Sequence, residues 1–247
     1  MHLSEIIAAS YHLVTILSYT IGVVLLSRNY RNISTRLTAF TLFSYTAWAA
    51  LYTVIIVEEG LDELLFGFAL FVQSIFFPLL YLTIRSFKEI RKYDFLIFLI
   101  PIVVLMYLLI FEPIGSIALN PFVYFYEVIT PLLIAFLIIL NITIYMGYQV
   151  YREIMDFVTK ERFFYLMLSF SLIGYICIFE IFLHVNSLVG LVAVLRGLPH
   201  LTGVPHLISL AVLSYAFLFK STTSQLGKVQ IRYEANIDKR LKDSANE

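Results

Sequence analysis

Long uninterrupted apolar stretches, broken by short polar and charged ones, set the pattern of this chain. A helix needs about 20 apolar residues to cross about 30 Å of hydrocarbon. Seven stretches meet or approach that length, at roughly 6–27, 37–57, 64–84, 95–111, 122–147, 163–185 and 198–219. Residues 187–195, "SLVGLVAVL", are apolar but too short to cross, and predict an outer loop or a short interfacial helix. Glu5 precedes the first stretch and no basic residue does, which speaks against a cleavable signal. The expectation is an all-α polytopic membrane protein: a seven-helix transmembrane domain over 1–220 and a charged cytoplasmic tail over 221–247.

Composition fixes the solvent. Of 247 residues, 60% are hydrophobic and 14% charged, against about 45–50% and about 25% in soluble domains. The single cysteine, Cys177, is expected to exclude both a disulfide and a Cys-based metal site within one chain.

Charge then supplies an orientation. Three Lys or Arg fall in "RNYRNISTR" (28–36), four in "RSFKEIRKYD" (85–94), three in 148–162 and six from Lys220 onward, so sixteen of seventeen lie on one side. Only Arg196 lies opposite, where Glu58, Glu59, Asp62 and Glu63 share a connector. The positive-inside rule predicts an N-terminus outside and a C-terminus inside, in the cytoplasmic membrane. The basic runs are therefore topological, and no nucleic-acid partner is expected.

Polar residues inside the spans are the candidate chemistry. At about 1.5 Å per residue, His206 stands about 21 Å above Lys220, His12 about 24 Å above Arg28 and Glu180 about 27 Å above Arg162. His184 and His200 fall near the outer boundary. A ring of helices ordered by sequence makes spans one, six and seven neighbours, so these five residues are expected in one outer sector, with His12 and His206 facing inward beside Glu180. Glu180 and His184 are one turn apart. An intramembrane acid costs about 2.5–3.5 kcal/mol on insertion scales and marks a site by default. Three readings stay open. His12, Glu180, His184, His200 and His206 are the set that would hold a metal. His12, Glu180, His184 and His206, with Gln73 and Trp48, are the set that would bind a polar ligand or sense protons. The plain reading pairs Glu180 with Arg196 or a histidine and leaves the rest in outer water.

Weaker signals lie deeper. Pro78 and Pro131 are expected to kink their helices beside Gln73, Ser74, Thr130 and Asn141, and Pro205 to kink the last span. Tyr45, Trp48 and Tyr52 form an i, i+3, i+7 stripe that reads first as packing. The last span has no lysine before Lys220, so no retinal is expected. Phosphate-loop, G-x-S-x-G and H-E-x-x-H motifs are absent from the sequence. The span-seven histidines are not four apart and no Asp lies within a span, unlike seven-helix zinc hydrolases of the ceramidase and progestin-receptor type.

"TRLTAFTLFSYTAWAALYTV", residues 35–54, resembles the second helix of the seven-helix N-terminal membrane region of prokaryotic sensor histidine kinases, with Arg36, Phe40, Phe43 and Trp48 at matching places. The resemblance implies a sensor half over 1–220. No histidine follows His206 and no ATP-binding domain follows the spans, so the kinase output is missing. The chain is then a piece of a longer sensor or a member that signals through partners. In the tail, Val229, Tyr233, Ile237 and Leu241 recur every four residues, the pattern of a short helix that would meet the inner leaflet or a cytoplasmic partner. Homo-oligomerisation stays open. The expected function is a receptor-like sensor of a ligand or proton at the outer half of the bundle. Its alternative is a membrane-embedded enzyme or redox-complex subunit with a His/Glu metal or haem site at the outer mouth.

Overall fold

The computed structural model describes residues 3–57, 63–88, 90–103, 130–189 and 203–218. Among them every regular element is helical: α1 (Leu3–Asn29), α2 (Ile33–Val57), α3 (Glu63–Arg85), a 3-10 turn (Lys92–Phe98), α4 (Thr130–Glu153), α5 (Phe157–Val189) and α6 (Gly203–Leu218). Five stretches within these helices are long and apolar enough to cross a membrane: Ile7–Asn29, Ile33–Ile55, Gly67–Arg85, Thr130–Glu153 and Thr159–Leu183. Gly203–Ala216 is a shorter apolar helix. The fourth expected stretch is described only to residue 103, as the 3-10 turn and a following helical segment; its remainder lies outside the described residues.

The packing is sequential and closes on itself. Each of α1 to α6 packs against its chain neighbour apart from α3, which meets α4, and α6 returns to α1. The first, sixth and seventh apolar stretches are thus neighbours as expected, in α1, α5 and α6. Large apolar side chains face outward, including Ile16, Phe40, Phe68, Ile138, Phe179 and Ile208, while the interior holds Leu42, Phe76, Phe77, Phe136 and Phe170. Lipid tails are as apolar as these side chains, so close packing and interhelical hydrogen bonds must hold the helices together. Such bonds join Ser18 to Thr46 (2.8 Å), Thr41 to Thr83 (2.9 Å) and the Ser169 hydroxyl to the Ser209 carbonyl (2.6 Å).

Among the described residues, the Lys and Arg side chains lie near the helix ends that meet at one end of the bundle. The Ser34 hydroxyl donates to the Ser86 carbonyl (3.3 Å), Lys88 pairs with Glu153 (2.8 Å), and Phe87 meets Phe163 edge-on at 5.2 Å. Arg85 holds Asp94 at 3.1 Å, and Asp94 also accepts from Tyr81 (2.8 Å) and the Arg91 backbone N–H (2.6 Å).

Four expectations about local structure change. The basic connector expected over 148–162 shrinks to residues 154–156, because α4 and α5 extend beyond their apolar centres. Asp156 makes the tight restart feasible by accepting from the Thr159 N–H (2.9 Å), capping the first turn of α5. At the other end α5 runs to Val189, so residues 187–189 continue that helix; 190–195 lie outside the described residues. Pro205 sits in the first turn of α6, where a missing N–H breaks no helical bond, so it does not kink that helix. Pro131 likewise falls in the first described turn of α4, whereas Pro78 lies inside α3.

Candidate functional site

The half of the bundle away from the basic end holds one buried polar network. Tyr11 of α1 donates its hydroxyl to Glu180 Oε1 of α5. Glu180 Oε2 lies 3.0 Å from His206 Nε2 of α6. His206 Nδ1 lies 2.7 Å from the Tyr45 hydroxyl of α2. Four helices therefore converge on one chain of polar contacts. Tyr11, Tyr45, Glu180 and His206 are each 0–1% exposed.

Helical periodicity explains who takes part. Tyr45, Trp48 and Tyr52 share a face of α2. The Trp48 ring stacks at 5.6 Å on Tyr45 and 5.3 Å on Tyr52, and also stands 5.3 Å from the His206 ring. Cys177 precedes Glu180 by three residues and shares its face of α5. The Cys177 thiol, a Glu180 carboxylate oxygen and a His206 ring nitrogen all lie within 4.8 Å of one another. Gln73 of α3 lies against the Cys177 thiol. Its Nε2 is buried without a hydrogen-bond partner among the described residues.

The Glu180–His206 contact combines two facts that pull apart. The distance is that of an ion pair, yet neither Glu180 Oε2 nor His206 Nε2 makes a hydrogen bond of good alignment. The distance is the more informative of the two, since it places a ring nitrogen and a carboxylate oxygen in direct opposition. A hydrogen on either atom, or a cation between them, would satisfy that contact. Beside Glu180 is a cavity of about 10 Å³, lined by Trp48, Tyr52, Ala69, Leu70, Gln73, Glu180 and Ile181. That is room for about one water molecule.

The expected site residues divide cleanly. Glu180, His206, Gln73 and Trp48 come together as expected, and Glu180 has an imidazole partner. His12 does not join them: its side chain is exposed and its Nδ1 lies 2.9 Å from the Ala8 carbonyl. One residue along a helix turns the side chain by about 100°, and Tyr11 takes the inward position. The backbone of His184 lies in α5 one turn beyond Glu180, but its side chain, like His200 and Arg196, lies outside the described residues. Asn141 is exposed, bonded to the Leu137 carbonyl (2.7 Å) and to Tyr175 of α5 (3.1 Å), and borders no described cavity.

Three participants are not foreseen by the sequence. Tyr45, whose stripe reads as packing, joins through its hydroxyl. Tyr11 was hidden by its histidine neighbour. Cys177 was set aside as a lone thiol, but one cysteine is a full donor in a mixed set. Its spacing of three from Glu180 was the available signal.

No protein family, curated protein or solved structure matches this chain.

Proposed function

We propose that the chain is a seven-span sensor module of the cytoplasmic membrane, with its N-terminus outside and its C-terminus inside. In this reading a small species is detected at the Tyr11–Glu180–His206–Tyr45 network and reported to a cytoplasmic partner through residues 221–247. The observation that supports it is the convergence of α1, α2, α5 and α6 on one buried acid–imidazole contact. A buried ionisable pair is a costly way to hold helices together. It is a good way to make their packing depend on what occupies the contact, because any change there is felt by four helices at once.

The size of the adjoining space bears on the stimulus. Room for about one water favours a proton or a single ion over an organic ligand. The same scale fits an ion better than the haem or extended substrate of the enzyme alternative. The likeness of residues 35–54 to sensor histidine kinases supports a signalling partner, and the sixteen-to-one distribution of Lys and Arg supports the orientation.

Spin labels at Arg31 and Met155, both exposed at the basic end, test the reading in proteoliposomes. The distance distribution between them should change when the outer medium is switched between acid and neutral pH or given a divalent metal ion. The change should be lost in Glu180→Gln. Identical distributions under all conditions in the wild type would overturn it.

A further inference from the structure

We propose that Cys177, Glu180 and His206 form a zinc site, so that the species detected by the sensor is a divalent transition-metal ion. The proposal rests on the sensor reading and names its stimulus.

Three donors of three kinds meet at one point: a thiol, a carboxylate oxygen and a ring nitrogen, mutually within 4.8 Å. Tetrahedral zinc, with bonds of about 2.0–2.3 Å, holds its ligand atoms about 3.3–3.8 Å apart. Glu180 and His206 stand 3.0 Å apart, a few tenths of an ångström short of that spacing, so a small separation of these two and an inward shift of up to about 1 Å by the Cys177 side chain complete the set. The sulfur and imidazole donors exclude magnesium and calcium, which take oxygen.

The imidazole is prepared as a ligand. Its Nδ1 is engaged by the Tyr45 hydroxyl at 2.7 Å, which orients the ring and leaves Nε2 as the atom that faces Glu180. Zinc-bound histidines are held in this way by an oxygen on the far nitrogen. The Tyr11 hydroxyl does the same for the second oxygen of Glu180. The one-water cavity that Glu180 and Gln73 line would supply a fourth ligand as water, and the Gln73 amide, 1% exposed and unpartnered at Nε2 among the described residues, would donate to that water or to a carboxylate oxygen.

Charge selects the metal's valence. A thiolate, a carboxylate and a neutral imidazole together carry two negative charges. A divalent ion brings the buried cluster to zero, which a low-dielectric interior tolerates; a monovalent ion leaves an uncompensated charge. Binding forms Zn–S, Zn–O and Zn–N bonds and releases to water the thiol proton and any proton shared by the carboxylate and the imidazole.

The test uses the full chain purified in detergent and stripped with a chelator. Cobalt(II) should bind one ion per chain, with tetrahedral ligand-field bands and a thiolate-to-cobalt charge-transfer band, and zinc should displace it. Trp48, the only tryptophan, stands beside His206 and should report binding by a change in fluorescence. Cys177→Ser should abolish the charge-transfer band and weaken zinc binding at least 100-fold. Tyr45→Phe should weaken it about 10–100-fold. If Cys177→Ser lowers helicity or the unfolding temperature, Cys177→Ala is scored in its place. A cobalt spectrum without the thiolate band, or equal zinc affinity in wild type and the cysteine variant, overturns the site. If the site fails but the Arg31–Met155 distance still responds to pH in a Glu180-dependent way, the sensor reading stands without the metal. If zinc binds with no change at the basic end, the site stands and the sensor reading falls.

Discussion

Glu180 Oε2 and His206 Nε2 stand 3.0 Å apart inside the bundle, with side chains 1% and 0% exposed, and each is held from behind by a tyrosine of another helix. Both are shut off from bulk solvent, so the two should be strongly coupled. A double-mutant cycle of Glu180→Gln and His206→Asn, read by thermal unfolding in micelles, should give an interaction energy of about 1–3 kcal/mol. A value below about 0.5 kcal/mol would mean the two are only close.

The tyrosines and His12 give a contrast within one turn of α1. Tyr11→Phe removes a hydroxyl bonded to a buried carboxylate and should cost about 1.5–3 kcal/mol. Tyr45→Phe removes a bond to an imidazole and should cost about 1 kcal/mol. His12→Ala removes an exposed ring bonded only to its own helix at Ala8, and should fall within about 0.5 kcal/mol of the wild type. Equal losses at Tyr11 and His12, measured by unfolding, would contradict the rotation assigned to α1.

That contrast shows what the sequence makes legible. Depth along a helix follows from counting residues, so Glu180 and His206 could be matched across two spans. Rotation about the helix does not follow when both faces are apolar, and α1 offers Tyr11 and His12 equally to such a count. Cys177 was visible as a residue but not as a donor, because its value depends on α6 bringing His206 against α5. The helix ends were least legible. Residues 148–153 and 157–162 are polar enough to read as loop, yet they remain helical because their backbone bonds continue and Asp156 caps the restart. Pro205 reads as a kink only until the start of α6 is known.

Asp94 provides the pH dependence. Burial acts to raise its pKa, but the Arg91 backbone N–H, the Tyr81 hydroxyl and the Arg85 guanidinium outweigh burial and hold it below its ordinary value of 3.8. A carboxylate depressed in the folded state adds stability that is fully present above its unfolded pKa of about 3.9 and is lost as pH falls through the folded value. Asp94→Asn should therefore lower the unfolding temperature at neutral pH. The gap to wild type should close as pH drops from about 5 to below 3.8. A gap that stays constant over that range would assign the loss to hydrogen-bond geometry and not to charge.

The orientation can be read with single cysteines in a Cys177→Ser background. Ser34 lies at the basic end but is 3% exposed and bonded to the Ser86 carbonyl, so a label there would be blocked from either side. Met155, in the connector between α4 and α5, is 98% exposed and answers the question. Gly60 lies in the acidic connector between α2 and α3, on the side that carries no Lys or Arg in that stretch. The Lys and Arg distribution puts Met155 inside and Gly60 outside. In intact cells an impermeant thiol reagent should label Gly60→Cys and leave Met155→Cys untouched until the membrane is opened. The reverse pattern would invert the bundle and put the Glu180–His206 contact nearer the cytoplasm, so a stimulus from outside would no longer reach it first. Labelling of both from outside would remove the membrane barrier between the two ends and with it the seven-span reading.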